Sequence, residues 1–178
     1  IMFFMGLSLI LCKDIFALLL GEKYRMAAVI LPFLIFYPIM YTISETTCSG
    51  IGVSKKSYLN IWVSLGACAV NFIGNNILVP IYDGIGAAIS TGISYIVFFW
   101  LRTYFSNKYY YINYELKKFS IITCVALVYA WYNTFFEFNI ITIIGYIVGI
   151  VTLLVLYKQG VKELIVISKR QLMEFFGA

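Results

Sequence analysis

The stretch from Asn71 to Tyr95, NFIGNNILVPIYDGIGAAISTGISY, joins two apolar segments through Pro80-Ile81-Tyr82-Asp83. Apolar sequence extends for about 20 residues on each side, the length a helix needs to cross a bilayer core. Helices joined by about four residues must run antiparallel and touch. The second segment opens with small residues at helical spacing: Gly84, Ala88 and Gly92 on one face, with Ala87, Thr91 and Ser94 beside them. Apolar surfaces gain little by meeting each other in lipid, so close backbone approach at small residues is what packs membrane helices. The expectation is a hairpin packed through Gly84, Ala88 and Gly92.

The rest of the sequence has the same character. Of 178 residues, 62% are hydrophobic and 12% charged, where a soluble domain carries about 25% charged residues. The apolar residues come in runs of span length rather than in amphipathic stripes. This predicts an all-α, polytopic transmembrane helix bundle embedded in a lipid bilayer. The 15 Tyr and 15 Phe suit interface belts and lipid-facing surface. The net charge of +5 does not indicate nucleic acid, because the basic residues fall in the connections between apolar runs, where they set orientation.

Five full spans and one partial helix are expected. Residues 1–25 read as the end of a truncated transmembrane helix (Ile1–Cys12), a short apolar patch (Ile15–Leu20) and an interfacial loop, Gly21–Arg25. With no basic leader and no cleavage site, the opening run is not a signal peptide, and the chain reads as a C-terminal fragment of a longer protein. Residues 26–105 hold three spans: about Met26–Cys48, bent by Pro32 and Pro38, then Tyr58–Val79, then Gly84–Phe105, with a polar turn at Gly50–Ser57. Residues 106–118 form a tyrosine-rich cytoplasmic loop, and residues 119–157 two additional spans, about Phe119–Phe136 and Ile140–Tyr157. Residues 158–178 form an amphipathic tail, with Ile165, Leu172 and Phe176 on one side and Lys162, Lys169 and Arg170 available to headgroups.

Counting Lys and Arg by alternating side gives ten on one face of the membrane: Lys55, Lys56, Arg102, Lys108, Lys117, Lys118, Lys158, Lys162, Lys169 and Arg170. The other face receives three, Lys13, Lys23 and Arg25. The richer face belongs in the cytoplasm, which places the C-terminus there.

Little in the sequence suggests catalysis. There is no phosphate-cradling GxxxxGK loop, no matched carboxylate pair and no His at all. Cys12, Cys48, Cys68 and Cys124 lack ligand spacing and read as inert buried thiols. No enzyme activity, metal or cofactor is expected. The informative polar residues lie within the spans. Glu45 sits inside the second apolar run, where an ionisable group either faces a polar cavity or, near the end of the helix, reaches the headgroups. Asn60, Ser64 and Asn71 share one helical side at spacings of four and seven, a line that Asn75 extends. A polar stripe at membrane depth bonds neighbouring helices or lines a hydrophilic passage. Glu45, Asn60, Ser64 and Asn71 are therefore the candidate cavity residues.

Asn71-x3-Asn75-x-Ile77-Leu78-Val79-Pro80, followed by Asp83-Gly84-Ile85-Gly86-Ala87-Ala88-Ile89-Ser90-Thr91, resembles the C-terminal lobe of bacterial polysaccharide flippases. These are the O-antigen and capsule transporters of the multidrug/oligosaccharidyl-lipid/polysaccharide exporter superfamily. Lys13-Asp14-Ile15 through Leu20-Gly21-Glu22-Lys23-Tyr24-x2-Ala27, and Gly50-Ile51-Gly52 before Lys55-Lys56, are similar to further segments of that family. The resemblance covers residues 13 to about 105, and the last two spans match only in hydropathy. It implies two six-helix lobes around a central cavity in the bacterial inner membrane. Alternating access would move an undecaprenyl-pyrophosphate-linked oligosaccharide outward for cell-surface polysaccharide synthesis. The partner of this part would be the N-terminal lobe of the same chain. Alternatives are a drug/cation antiporter or lipid II flippase of the same fold, or a membrane enzyme such as a saccharide polymerase.

Overall fold

The computed structural model describes residues 1–20, 25–163 and 166; the Gly21–Tyr24 part of the expected loop and most of the expected amphipathic tail lie outside them. The described residues form eight α-helices and no strand: α1 (Met2–Leu11), α2 (Lys13–Leu20), α3 (Arg25–Leu34), α4 (Phe36–Thr47), α5 (Ser49–Val53), α6 (Leu59–Tyr109), α7 (Leu116–Phe135) and α8 (Ile140–Leu156). Among the described residues two helices are long and apolar enough to cross a membrane: Met26–Thr47, which runs through α3 and α4, and Leu59–Tyr109. A third arises if α1 and α2, bent by 56°, count as one span. Helix α8 is apolar but shorter.

Helix α6 is not a straight rod. Asp83 has φ 48° and ψ −128°, and the chain folds back there. Each arm, about 25 residues long, measures about 37 Å at 1.5 Å per residue. The first arm continues through Pro80 to Tyr82 rather than stopping at Val79. Proline removes one backbone bond, a small loss in the last turn before a break. The reversal thus takes one residue instead of four, which brings the arms together close to their junction. Asn71 and Ser90, and Gly66 and Leu101, face each other across them.

Proline also marks the middle of Met26–Thr47. Pro38 has no N–H to offer the carbonyl of Leu34, and α3 gives way to α4 at Ile35 next to that lost bond. The expected polar turn at Gly50–Ser57 is partly helical: α5 occupies its first half, and the turn follows at Ser54–Lys55, where Lys55 has φ 55°. The expected 106–118 loop is shorter, because α6 persists to Tyr109 and α7 begins at Leu116.

The second arm lies at the centre. Its line Gly86, Ser90 and Ser94 meets the first arm, and its line Ala88, Gly92, Phe99, Thr103 and Ser106 is also buried. Gly92 lies against the backbone of Phe33 in α3. Thr103 bonds Thr47 of α4 through their hydroxyls at 2.8 Å, and the Ser106 hydroxyl accepts the Gly50 N–H at 2.9 Å. Phe99 reaches the main core, 4.2 Å centroid to centroid from Phe119 of α7. Around that pair gather Phe3, Leu7 and Ile10 of α1, Phe36, Ile39 and Met40 of α4, and Ile122 and Ala126 of α7. Helix α8 closes the bundle against α1 and α7, and its start is fixed by Asn139, whose side chain accepts the Ile140 N–H at 2.7 Å. The outer faces carry Trp62, Phe72, Ile77, Val128, Ile144 and Val155, all exposed, as suits a surface that meets lipid rather than water.

These contacts correct the expected packing set. Ala88 and Gly92 are buried, but Gly92 packs on α3 rather than across the hairpin. Gly84 has open space where a side chain would be, because it stands at the exposed end of the fold-back. The close approach between the arms is made by Gly86, at the backbone of Leu78, and by Gly74, at the Ser90 hydroxyl. Cys68 and Cys124 are exposed rather than buried.

Lys13 holds the sharp bend between α1 and α2. Its side chain is buried, and its ammonium donates to the carbonyl of Asn133 and, at 3.5 Å, to that of Phe136. These carbonyls belong to the last turn of α7, where the peptide dipoles present negative charge. The sequence places Lys13 in a loop; the tertiary structure makes it a tie between the α1–α2 bend and the end of α7.

Candidate functional site

A cleft of about 740 Å³ opens between α4 and the two arms of α6. The first arm supplies one wall through Asn60, Ser64, Cys68 and Asn71, and α4 supplies another through Tyr37 and Tyr41. The second arm contributes Thr91, Ser94, Tyr95, Phe98 and Arg102. Three of the four candidate cavity residues, Asn60, Ser64 and Asn71, thus line one cleft. Their spacing of four and seven turns them to the same side of the first arm, which packs on its neighbour along one side only and has just Leu59 and Val63 fully buried.

Asn71 ties the cleft together. Its amide donates to the hydroxyls of Thr91 at 3.2 Å and Ser94 at 3.4 Å. Its side-chain oxygen accepts from Asn75 at 2.9 Å, and its backbone carbonyl accepts from Ser90 at 2.8 Å. Asn71 thus bonds the two arms together, and it also lines the cleft. Asn60 and Asn75 each keep a buried side-chain oxygen with no partner among the described residues.

Glu45, the fourth candidate, lies outside the cleft lining but reaches its edge through Arg102. The Arg102 guanidinium donates from Nη1 to Glu45 Oε1 at 2.6 Å and to Ser44 Oγ at 2.9 Å. The Arg102 side chain is 11% exposed and that of Glu45 47%. The opposite wall is aromatic. Tyr37 and Tyr95 have ring centroids 4.4 Å apart, Tyr41 stacks on Phe98 at 6.1 Å, and the Phe98 ring lies 5.6 Å from Arg102 Cζ. The site thus pairs a polar stripe with an aromatic face and places a cation at one end. That arrangement suits a ligand with hydroxyl groups, apolar ring faces and a negative charge.

The aromatic wall and Arg102 were not among the sequence candidates. A signal existed in Thr91, Tyr95, Phe98 and Arg102, which recur at spacings of four, three and four along one face. Composition hides it, because tyrosine and arginine near helix ends are the ordinary markers of a membrane interface. No family model, curated protein or solved structure matches the chain.

Proposed function

We propose that this chain carries the C-terminal lobe of an alternating-access flippase for a lipid-linked oligosaccharide in the bacterial inner membrane. On this reading α3–α4, the two arms of α6, α7 and α8 are five membrane spans, with α1–α2 as a further partial helix, and the cleft faces a second, N-terminal lobe. The observation that carries the reading is the cleft itself, a polar and aromatic concavity built into a bundle that exposes many large apolar side chains elsewhere. Polar side chains at membrane depth are costly unless they face a partner, a cavity or a substrate. Family resemblance at Asn71–Thr91 supplies the cargo class.

Replacing Glu45 and Asn71 together by Leu in the full-length protein tests this. Interhelical hydrogen bonds in membrane proteins average about 0.6 kcal/mol each, so losing those of Asn71 is tolerable. Losing Glu45 leaves Arg102 only Ser44 as partner among the described residues, so the amount of folded protein in the membrane is measured beside export, and export is expressed per folded molecule. Saccharide export should fall at least about tenfold, equivalent to about 1.4 kcal/mol on the transport barrier. Normal export would remove the cleft from the transport path. Loss of drug efflux with intact saccharide export would favour the antiporter of the same fold.

Orientation gives a separate prediction. Lys55 stands on the basic side of the ten-to-three count, in the turn after α5. A cysteine introduced at Lys55 should resist membrane-impermeant thiol reagents in intact cells and react once the membrane is opened. Labelling from outside would reverse the topology.

A further inference from the structure

The pair between Arg102 and Glu45 is lopsided. Arg102 is mostly buried and Glu45 is half exposed. A carboxylate at the edge regains water when it lets go, whereas a buried guanidinium left alone is strongly destabilising. Glu45 can therefore be displaced cheaply, but only by another negative group. The guanidinium is also incompletely used. Among the described residues both of its hydrogen bonds leave from Nη1, while Nε is buried with no partner. Buried donors are almost always paired in native proteins, and a guanidinium presents its donors as a fork that takes a carboxylate or phosphate through two parallel bonds. Finally, Arg102 lines the cleft and Glu45 does not, so the two meet at the boundary between the ligand space and its rim.

We propose that Arg102 is the anion-binding residue of the cleft and that Glu45 is a tethered stand-in for the ligand's own anionic group. The ligand class is a saccharide bearing a carboxylate or a phosphate. Its hydroxyls would bond the Asn60, Ser64 and Asn71 wall, its ring faces would pack on Tyr37 and Tyr95, and its charge would take Glu45's place on Arg102. With the site empty, Glu45 keeps Arg102 neutralised; with the site filled, its return competes with the ligand and speeds release. This rests on the transporter reading above and specifies the charge of the cargo.

The test is a binding titration by saturation-transfer NMR on the full chain in detergent micelles, with glucuronate, glucose 1-phosphate, glucose and inorganic phosphate as probes. At least one acidic sugar should bind at least about tenfold tighter than glucose, a gain of about 1.4 kcal/mol, as one charge-assisted hydrogen-bond pair provides. Whichever is tighter, glucuronate or glucose 1-phosphate, identifies carboxylate or phosphate. Arg102→Gln should abolish the preference and Arg102→Lys should retain part of it. Glu45→Gln, which keeps an amide oxygen for Arg102 to donate to, should tighten the acidic sugar by about three- to tenfold by removing its charged competitor. Equal affinity for glucose and both acidic sugars, or unchanged or weaker binding of the acidic sugar to Glu45→Gln, overturns the proposal. If glucose binds as well as the acidic sugars and Asn71→Leu abolishes its binding, the inference fails while the saccharide transporter stands. If inorganic phosphate binds as tightly as glucose 1-phosphate and no sugar adds affinity, the saccharide reading itself fails.

Discussion

Gly86→Val is expected to be the most damaging single substitution in the hairpin, lowering stability by about 3 kcal/mol, the upper part of the usual range for overpacking. A side chain at Gly86 runs into the carbonyl of Leu78 and the amide of Val79, both main-chain atoms of the facing arm. A flexible side chain in that place would rotate away; backbone within a helix cannot, so the arms must separate. That separation also strains the bonds from Asn71 to Thr91 and Ser94. For a chain of this length the loss corresponds to a fall in Tm of roughly 6–12 °C, measured by thermal unfolding in detergent. Gly84→Ala is the matched control. Nothing lies within 4 Å of the new methyl, and alanine is favoured over glycine in a helix by about 1 kcal/mol. Its Tm should be unchanged or slightly higher. Equal damage from both substitutions would mean that Gly84, not Gly86, is the point of contact.

The second large effect is expected at Lys13. Lys13→Met keeps most of the length and apolar stem but removes the ammonium that donates to the carbonyls of Asn133 and Phe136. Hydrogen bonds to a charged group contribute about 1.5–3 kcal/mol, and the lost dipole interaction at the end of α7 adds to this. Relief from burying a charge offsets part of the loss, so a net destabilisation of about 2 kcal/mol is expected, a Tm lower by roughly 4–8 °C. Lys13→Glu should be worse, because it brings a carboxylate to the negative end of α7 beside Asp14 and Glu137. Limited proteolysis near the α1–α2 bend gives an independent readout, since the bend should become cleavable when the tie is cut. A Tm within 1 °C of wild type for Lys13→Met would show that the bend is held by packing alone.

Most of the helices were legible from the sequence, and for a simple reason. Long apolar runs leave the backbone no partner but itself, so α3–α4, both arms of α6, α7 and α8 fall close to where hydropathy puts them. The errors cluster at ends and turns. Pro80 reads as a stop but sits harmlessly in a last helical turn, and Gly50 reads as a turn residue but packs inside a short helix against Ser106. Both depend on what lies next to the residue in space, which local sequence does not express.

The candidate site divides in the same way. Periodicity by itself determined that Asn60, Ser64 and Asn71 share one helical side, because 3.6 residues per turn fixes which side chains point together. Only the tertiary structure decided which neighbour each side meets. On the second arm, the sequence puts Gly84, Ala88 and Gly92 at the contact, but small residues also occur along Gly86, Ser90 and Ser94, and the fold-back at Asp83 turned that second line to the first arm. Glu45 and Arg102 are 57 positions apart in the chain, and Lys13 and Asn133 are 120 apart. Pairings at such separations follow from how the helices stack, a property of the whole bundle that no single segment encodes.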